Sequence, residues 1–538
     1  FRATEQWCAS VDGCRDAAMG AIAEVTWIPD SGQNRIESMV GERSDWCISR
    51  QRSWGVPIPA FYDSETGEAL MNEATLNRTR DLIAEHGSDV WWDWSVEELL
   101  PEEYRYNGRT YIKSTDTMDV WFDSGSSWAS VVKQRGLKYP ADIYLEGSDQ
   151  HRGWFQSSLL TSVASGGPAP YKTVLTHGFT LDEQGRKMSK SLGNIVDPMV
   201  VINGGNNQKQ EPPYGADVLR LWVSSVDYST DVPVSKNIIK QMSDVYRKIR
   251  NTSRFLLGNL HDFDPVKDAV AYDDLPELDR YMLHRITEVF DEITEAFKTF
   301  KFFKFFQTVQ NFCVVDLSNF YLDIAKDRLY ISSSTSFRRR SCQTVIAVAL
   351  ENLVRAIAPV MCHMAEDIWQ ALPYEVSEKS VFQAGWVKLE EQWKQPKLAE
   401  KWQEFRDIRS DVNKVLEQAR NDKSIGSSLE AKVLFYVDDE GLRDRLAKFN
   451  PENPLEDGSN NVDELRYFFL TSQVDLLMET APLNGLKYAF ESESLGSGIV
   501  NASGRKCERC WDYSETVGNN AEDPNLCARC VKALQGKF

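Results

Sequence analysis

The sequence predicts an α/β fold followed by an all-α bundle, a small α+β junction and a C-terminal cysteine module. Between residues 44 and 231, short apolar runs alternate with segments of helical periodicity, which is typical of parallel βαβ units. From residue 238 to 371 long helical periodicity dominates and glycine nearly vanishes, which favours a helix bundle. Two Cys-x2-Cys pairs stand near the end of the chain. Several domains are expected in 538 residues.

Composition excludes several classes of protein. With 42% hydrophobic and 26% charged residues the chain is globular, and because it has no run of 18 apolar residues we expect no membrane span or membrane partner. The net charge of −19 argues against capture of nucleic acid by the whole surface, so RNA binding would need local basic patches. Ten cysteines, regularly spaced only near the end, favour a reducing compartment with one metal site over a disulfide framework.

The α/β part opens with residues 1–40, which have no core of their own and predict a short helix at about 14–23 and then an extended stretch. Further along, apolar runs predict buried strands and amphipathic segments predict helices: strands at 143–146 and 173–176, helices at 155–164 and 216–224. The stretch 61–113, which carries Trp91, Trp92 and Trp94, predicts an inserted subdomain.

The second half of the chain predicts mostly helices. Periodicity places them at 279–298, 302–325, 341–358 and 396–420, with an alternating strand at 429–437 and a loop at 450–462. We therefore divide the chain into five parts: 1–40, 41–232 with its insertion, 233–395, 396–495 and the cysteine module 496–538.

The lysine loop, residues 187–191 (KMSKS), is the most informative motif. It lies between Gly185 and Gly193 and follows the tripeptide 177–179 (HGF). Two lysines three apart on a glycine-bounded loop suit a polyphosphate, because lysine is a mobile point charge. A solvated basic turn is the alternative for any single Lys-x-x-Lys.

A second motif, residues 146–151 (EGSDQH), follows a predicted strand and precedes a helix. Ligands bind at the carboxyl ends of strands in an open parallel sheet, where a glycine lets the backbone approach and a carboxylate takes ribose hydroxyls. An ordinary strand-to-helix turn is the alternative.

Residues 45–55 (DWCISRQRSWG) and 119–125 (DVWFDSG) complete a set of four motifs. In this order they closely resemble the isoleucyl-tRNA synthetase family of class I aminoacyl-tRNA synthetases, over essentially the whole chain. The valyl and leucyl families share the lysine loop and remain the near alternatives, but the run 145–155 (LEGSDQHRGWF) is similar to the isoleucyl family at nearly every position.

The resemblance implies a fold and site roles. Part 41–232 would be the second half of a Rossmann-type catalytic domain, 233–395 an anticodon-binding bundle and 396–495 a junction domain. Glu146 would hold the aminoacyl-adenylate near its ammonium. The remaining roles are ribose contacts for Gly147, Asp149 and Gln150, walls of the isoleucine pocket for Trp121 and Trp154, a place near adenine or phosphates for His177, and ATP charge neutralisation for Lys187 and Lys190.

The implied reaction joins L-isoleucine to isoleucine tRNA with ATP, accompanied by Mg²⁺. It needs positioning and electrostatics and no side-chain nucleophile. Candidate RNA contacts are basic residues at the start of the bundle, in a predicted loop and in the cysteine module: Arg247, Lys248, Arg250 and Arg254; Arg338, Arg339 and Arg340; Arg505, Lys506, Arg509, Arg529 and Lys532. Trp511 and Tyr513 would stack on a base or, more commonly, pack on the module.

The cysteine pairs, Cys507 with Cys510 and Cys527 with Cys530, predict one structural Zn²⁺ held by four sulfurs. Sulfur fills all four coordination positions, so the metal would build structure and not catalyse. The resemblance implies that this module supports tRNA recognition.

The first Rossmann half, with a His-x-Gly-His motif, and the editing core have no match in the sequence. Residues 1–40 then resemble the return from the editing insertion, and we expect a fragment that is inactive alone. The rival class is a non-catalytic tRNA-binding protein derived from a synthetase. The loop 203–214 resembles cyanobacterial and plastid-type enzymes, which implies bacterial cytoplasm or plastid stroma, and the family implies a monomer.

Overall fold

The computed structural model describes residues 5–450, 462–492 and 494–538. They form two compact units: Phe1–Asn194 with Tyr228–Pro233, and Ile195–Asp227 with Val234–Phe538. The loop predicted at 450–462 falls almost wholly on 451–461, outside the described residues. Among the described residues no helix combines the length and apolar character that a membrane crossing requires.

The first unit is built on a three-stranded parallel sheet in the order Thr26–Ile28, Tyr171–His177, Ala141–Gly147. The central strand is buried through Val174 and Leu175, as predicted. The prediction of a buried strand at 143–146 is wrong in its burial. Ala141–Gly147 is an edge strand of this sheet, which leaves Ile143 38% and Leu145 53% exposed.

The opening segment packs onto this sheet. The predicted short helix is confirmed as Arg15–Ala23, but the extended stretch expected after it is wrong beyond the strand Thr26–Ile28, because Ser31–Gly41 is a helix. In that helix Gly32, Ile36 and Val40 recur every four residues and are buried, which is helical spacing.

The other elements of the first unit are short. Its helices also include Glu73–His86, Val90–Asp93, Val96–Leu99, Glu102–Arg105, Val120–Gly125 and Trp154–Ala164, with a 3₁₀ turn at Ser148–Arg152 and a π-helical turn at Trp128–Lys133. Its strands also include Cys8–Ser10, Asp45–Cys47, Ser49–Arg50, Phe61–Asp63, Ala69–Leu70, Tyr111–Lys113, Thr117–Met118, Thr180–Leu181 and Val232–Pro233.

Residues 61–113 have a core of their own. Three antiparallel strands, ordered Ala69–Leu70, Phe61–Asp63, Tyr111–Lys113, lie beside the helix Glu73–His86. Trp91 is fully buried in this core and its indole donates to the Ser114 carbonyl at 2.9 Å.

The second unit is mainly helical. Its helices are Pro198–Asn203, Ala216–Ser225, Lys236–Gly258, Glu277–Lys298, Phe302–Asn311, Leu322–Tyr330, Phe337–Ile357, Cys362–Gln370, Pro396–Asn421, Glu440–Ala447, Leu465–Phe469 and Ala528–Leu534. A π-helical segment, Phe312–Tyr321, joins two of them into one continuous run. The predicted helices at 216–224, 279–298, 302–325, 341–358 and 396–420 are confirmed within a few residues.

A four-stranded mixed sheet belongs to the same unit. Its order is Gln473–Leu477, Ala431–Val437, Leu495–Asn501, Ala489–Glu491. The predicted strand is confirmed, and its side chains alternate between buried and half-buried. Val433, Phe435 and Ile499 share one core with the helices.

The basic run 338–340 is not a loop, and that prediction is wrong. These residues form the first turn of the helix Phe337–Ile357, which Ser336 caps. Arg339 donates to Asp262 at 2.9 Å and Arg340 donates to the Asp262 carbonyl at 2.6 Å. Arg339 and Arg340 are ion-paired inside the protein and Arg338 is only 8% exposed, so these residues are unsuited to binding RNA.

Candidate functional site

The turn 146–151 lies where the sequence places it, at the carboxyl end of a parallel strand. Gly147 pairs in register with His177 of the neighbouring strand, so the two motifs end side by side. A Cβ on Gly147 would stand 2.6 Å from Asp149 Oδ1 and 3.7 Å from the His177 ring. A side chain at this position would therefore displace the Asp149 carboxylate, whereas glycine leaves it in place.

Glu146 and Asp149 are both exposed beside this glycine. The neighbouring His151, in contrast, is buried, its Nδ1 lies 2.8 Å from the Ser148 carbonyl, and its ring stacks on Trp27. Burial lowers the pKa of His151 below its ordinary value. This histidine therefore supports the turn, while the carboxylates face outward.

Two tryptophans flank Gly153. A Cβ on this glycine would stand 2.8 Å from the Trp121 ring and 2.6 Å from Gln150 Oε1, which accepts a hydrogen bond from the Trp154 amide at 3.0 Å. The Trp154 indole stacks on Tyr144 with ring centres 4.1 Å apart. Trp154 is thus fixed in place, whereas Trp121 is 39% exposed.

Close approach of two helices holds these walls. Gly125, in the helix Val120–Gly125, lies against Ser157 of Trp154–Ala164, and a Cβ there would come within 2.9 Å of it. The Trp154 indole donates to the Ser124 carbonyl at 3.0 Å.

Asp119 joins the two remaining motifs, a role that reading the sequence missed. Its carboxylate accepts hydrogen bonds from the Trp46 indole at 3.1 Å and the Trp121 amide at 3.3 Å, and pairs with Arg50 at 3.0 Å. Burial, and then the Asp119 charge, raise the pKa of Asp123 to about 6. Both aspartates belong to the motif 119–125, but their partners are known only from the fold.

The lysine loop follows a turn organised by Asp182. This buried carboxylate accepts hydrogen bonds from Asn194 at 2.9 Å and from the amides of Gln184 and Arg186, and these bonds, Asn194 first, hold its pKa well below the ordinary value. Asn194 in turn accepts from the Ser189 amide at 3.0 Å, which ties the loop to the turn.

The two lysines of the loop are exposed. The Lys187 ammonium stands 3.4 Å from the centre of the Phe179 ring, two residues beyond His177. The Lys190 ammonium has no ion-pair partner among the described residues. Both charges are thus available for an anion.

The four cysteines form a compact centre in the second unit. All four sulfurs lie within 4.8 Å of one another, and Cys510 and Cys527 are 3.7 Å apart. Tetrahedral zinc with bonds of about 2.3 Å separates sulfurs by about 3.8 Å. The residues fit the ion, and this is a structural zinc site.

Two predictions for this module are corrected. Arg529 is only 4% exposed, because it pairs with Asp512 at 2.8 Å and Asp327 at 3.0 Å, so it is not an outward charge. Trp511 does not pack on the module. It is 62% exposed, has a φ of 70°, and lies under the Lys506 ammonium at 5.4 Å.

Comparison with known proteins agrees with this geometry. Family models match three stretches: "tRNA synthetases class I (I, L, M and V)" over residues 1–235, "Anticodon-binding domain of tRNA ligase" over 279–435 and "Zinc finger found in FPG and IleRS" over 504–533. Fold and sites together define parts of a class I aminoacyl-tRNA synthetase.

The curated relatives identify the family within this class. Isoleucine–tRNA ligases of Acaryochloris marina, Gloeothece citriformis and Rippkaea orientalis are 71%, 70% and 68% identical over 99%, 100% and 100% of this chain. The chain belongs to the isoleucine–tRNA ligase family. It spans 55% of the first relative's length and 56% of the other two.

Proposed function

We propose that this chain provides one side of the active site of an enzyme that attaches isoleucine to isoleucine tRNA through an isoleucyl-adenylate. ATP, accompanied by Mg²⁺, would supply the adenylyl group. The relatives are nearly twice as long as this chain, so the complete reaction requires the rest of their length, and the chain alone is inactive. The observation that carries the proposal is the pairing of Gly147 with His177 beside Asp149.

The adenylate would lie along the carboxyl ends of Ala141–Gly147 and Tyr171–His177. Gly147 would let the backbone approach the ribose, and Asp149 with Gln150 would accept hydrogen bonds from its hydroxyls. Glu146 is an exposed carboxylate at the same strand end and would form a charge-assisted hydrogen bond with the amino acid ammonium. His177 would face the adenine or phosphates.

The isoleucine side chain would lie between Trp121 and Trp154. Two aromatic walls recognise a branched aliphatic group by shape, and the 4.1 Å stack on Tyr144 keeps one wall rigid. Gly153 leaves no room for a Cβ beside Trp121 and Gln150, so the two walls are closely packed around this residue.

Lys187 and Lys190 would neutralise charge on ATP as the isoleucine carboxylate attacks the α-phosphorus and pyrophosphate leaves. Lys187 would move from the Phe179 ring to the phosphates, an exchange of one weak interaction for a strong one. Catalysis would come from charges held where negative charge develops.

The second unit would bind the tRNA. Arg247, Lys248, Arg250 and Arg254 are all exposed on Lys236–Gly258 and form the basic patch that an otherwise acidic chain needs. The protein would work as a monomer, in bacterial cytoplasm or a plastid stroma, as the cyanobacterial relatives suggest.

Isoleucine-dependent ATP–pyrophosphate exchange tests the proposal. We would measure it for this chain alone and after mixing with the complementary segment of the Acaryochloris marina relative. We expect no exchange alone and exchange after mixing, with isoleucine preferred over valine and leucine. Lys190→Ala should reduce the restored rate at least tenfold, whereas Lys209→Ala, at another exposed lysine, should not.

Two results would contradict the proposal. Exchange by the chain alone would show that its residues already complete the site. Absence of exchange after mixing, with both segments folded and isoleucine tRNA still bound, would favour a non-catalytic tRNA-binding protein.

A further inference from the structure

Cys8 and Cys47 face each other across a two-stranded antiparallel ladder. The strands Cys8–Ser10 and Asp45–Cys47 pair with Cys8 directly opposite Cys47. Of the ten cysteines, the zinc centre takes four, and Cys313 and Cys342 are buried with pKa values raised by burial to about 12 and about 11. Cys8 is exposed and Cys47 half-buried.

The ladder's hydrogen bonds define the geometry of this pair. The Ile48 amide donates to the Trp7 carbonyl at 2.9 Å and the Val11 amide donates to the Ser44 carbonyl at 2.8 Å. Hydrogen-bonded pairs alternate with non-hydrogen-bonded pairs in an antiparallel ladder. Cys8 and Cys47 therefore form a non-hydrogen-bonded pair, in which the side chains approach most closely.

That geometry is the one a disulfide needs. Cα atoms of a non-hydrogen-bonded pair are about 4.5 Å apart, and disulfides span Cα separations of about 4.4–6.8 Å. After desolvation, Cys47 is the next cause of the raised pKa of Cys8. The register makes the two thiols cross-strand neighbours, while the Cys47 thiol itself donates to Gln6 Oε1 at 3.5 Å.

The surroundings of Cys47 suit thiol chemistry. Arg50 directs Nη1 at the Cys47 sulfur from 3.8 Å and donates to the Cys47 carbonyl at 2.8 Å, so a guanidinium lies beside this thiol. Gln6 and Ser49 extend the ladder, since the Ser49 hydroxyl donates to Gln6 Oε1 at 2.7 Å and accepts from the Trp7 amide at 2.8 Å. The two segments are therefore held together whether or not the sulfurs bond.

We propose that Cys8 and Cys47 are a redox modification site that closes to a cross-strand disulfide under oxidation by a small-molecule disulfide such as oxidised glutathione. The Cys47 thiolate attacks one glutathione sulfur and releases one glutathione thiolate. Cys8, after losing its proton, attacks the Cys47 sulfur of the mixed disulfide and releases the second. Two protein thiols are oxidised and one glutathione disulfide is reduced to two glutathiones.

The bridge links the strand Cys8–Ser10 to the residues leading into Arg50, which pairs with Asp119 beside Trp121. Oxidation would therefore act on the ladder that supports one wall of the proposed isoleucine pocket. The disulfide itself does not depend on the proposed function, because its chemistry involves only the two thiols and the oxidant.

Peptide mapping of the zinc-loaded full chain tests the proposal. After equilibration with a series of reduced and oxidised glutathione mixtures, remaining thiols are alkylated and the chain is digested with trypsin. Cleavage after Arg2, Arg15, Arg43 and Arg50 places Cys8 on peptide 3–15 and Cys47 on peptide 44–50. We expect these peptides joined, with one alkyl group on Cys14 and two hydrogen atoms fewer than the sum of the two peptides so alkylated.

Cys14 shares peptide 3–15 with Cys8, so the mapping is repeated in Cys14→Ser, where the link should persist. Cys8→Ser should abolish it and leave Cys47 as a mixed disulfide with glutathione at the same oxidant ratio. We compare the ratio of oxidised to reduced glutathione at which half of the chains carry the Cys8–Cys47 link with the ratio at which half carry glutathione on Cys362, a half-buried thiol outside the ladder. The ratio for the link should be at least tenfold lower.

The proposal is overturned if oxidised protein carries glutathione on Cys8 or Cys47 without the link. It is also overturned if the link forms only at oxidant ratios that release zinc from the four-cysteine site, because cross-strand pairing would then not make this pair easier to oxidise than the other cysteines.

Discussion

Replacing Asp119 with alanine tests whether this carboxylate holds the tryptophan pocket together. The substitution removes the cap on the helix Val120–Gly125, worth about 1 kcal/mol. It also removes the partner of the buried Trp46 indole, a bond to a charged group worth about 2 kcal/mol. The pair with half-exposed Arg50 adds at most about 1 kcal/mol. We expect the first unit to lose about 3 kcal/mol.

Asparagine is the matched control, because it keeps the shape and one acceptor oxygen. With that oxygen facing Trp46 and Arg50, the variant loses the charge and the acceptor for the Trp121 amide. Asp119→Asn should therefore cost about 2 kcal/mol, about 1 for the cap and at most about 1 for the ion pair. Hydrogen exchange by mass spectrometry resolves the opening free energy of residues 44–50 and 117–125 from that of the second unit. Equal costs for the two variants, or a cost for alanine below about 1 kcal/mol, would refute the role assigned to Asp119.

Three further predictions concern the other parts of the chain. Gly153→Ala should weaken binding of an isoleucyl-adenylate analogue to the complemented protein more than tenfold, because the new Cβ meets Trp121 at 2.8 Å, whereas Gly20→Ala, in open space, should not. Burial and the Asp119 charge raise the pKa of Asp123 to about 6, so the folded state favours the neutral acid. The contribution of neutral Asp123 to the free energy of unfolding is present near pH 4 and is lost as pH rises through 6. Denaturation curves of Asp123→Asn measured across this range should show no such loss. Zinc removal by a chelator should make the four cysteines alkylatable and increase hydrogen exchange in 504–533, while exchange in the helix Glu277–Lys298 stays slow.

The local sequence pattern was sufficient to predict elements in which buried residues recur at regular spacing. The helix Glu277–Lys298 and the strand Ala431–Val437 follow from periodicity alone, since each has one face in the core. The zinc site follows from cysteine spacing, because each Cys-x2-Cys pair is a local unit. The position of the turn 146–151 follows from the strand before it.

Long-range pairing could not be predicted in this way. Arg339 binds Asp262, 77 residues away, and Arg529 binds Asp327, 202 residues away, so neither is the solvated charge that its neighbours in sequence suggest. Buried Arg328 is neutralised by Asp279 in the same manner, at 2.9 Å. The exposure of Leu145 depends on which strand occupies the edge of the sheet, and hydrophobicity alone does not encode that order.

The central claim is that the carboxyl end of the strand Ala141–Gly147 binds the isoleucyl-adenylate. Calorimetric titration of the complemented protein with a non-hydrolysable isoleucyl sulfamoyl-adenylate tests it most directly. Glu146→Gln should weaken binding at least tenfold, about 1.4 kcal/mol, while Glu97→Gln, at an exposed glutamate of the inserted subdomain, leaves it unchanged. Equal affinity of Glu146→Gln and the unmodified protein would contradict the assignment of the adenylate to this strand end.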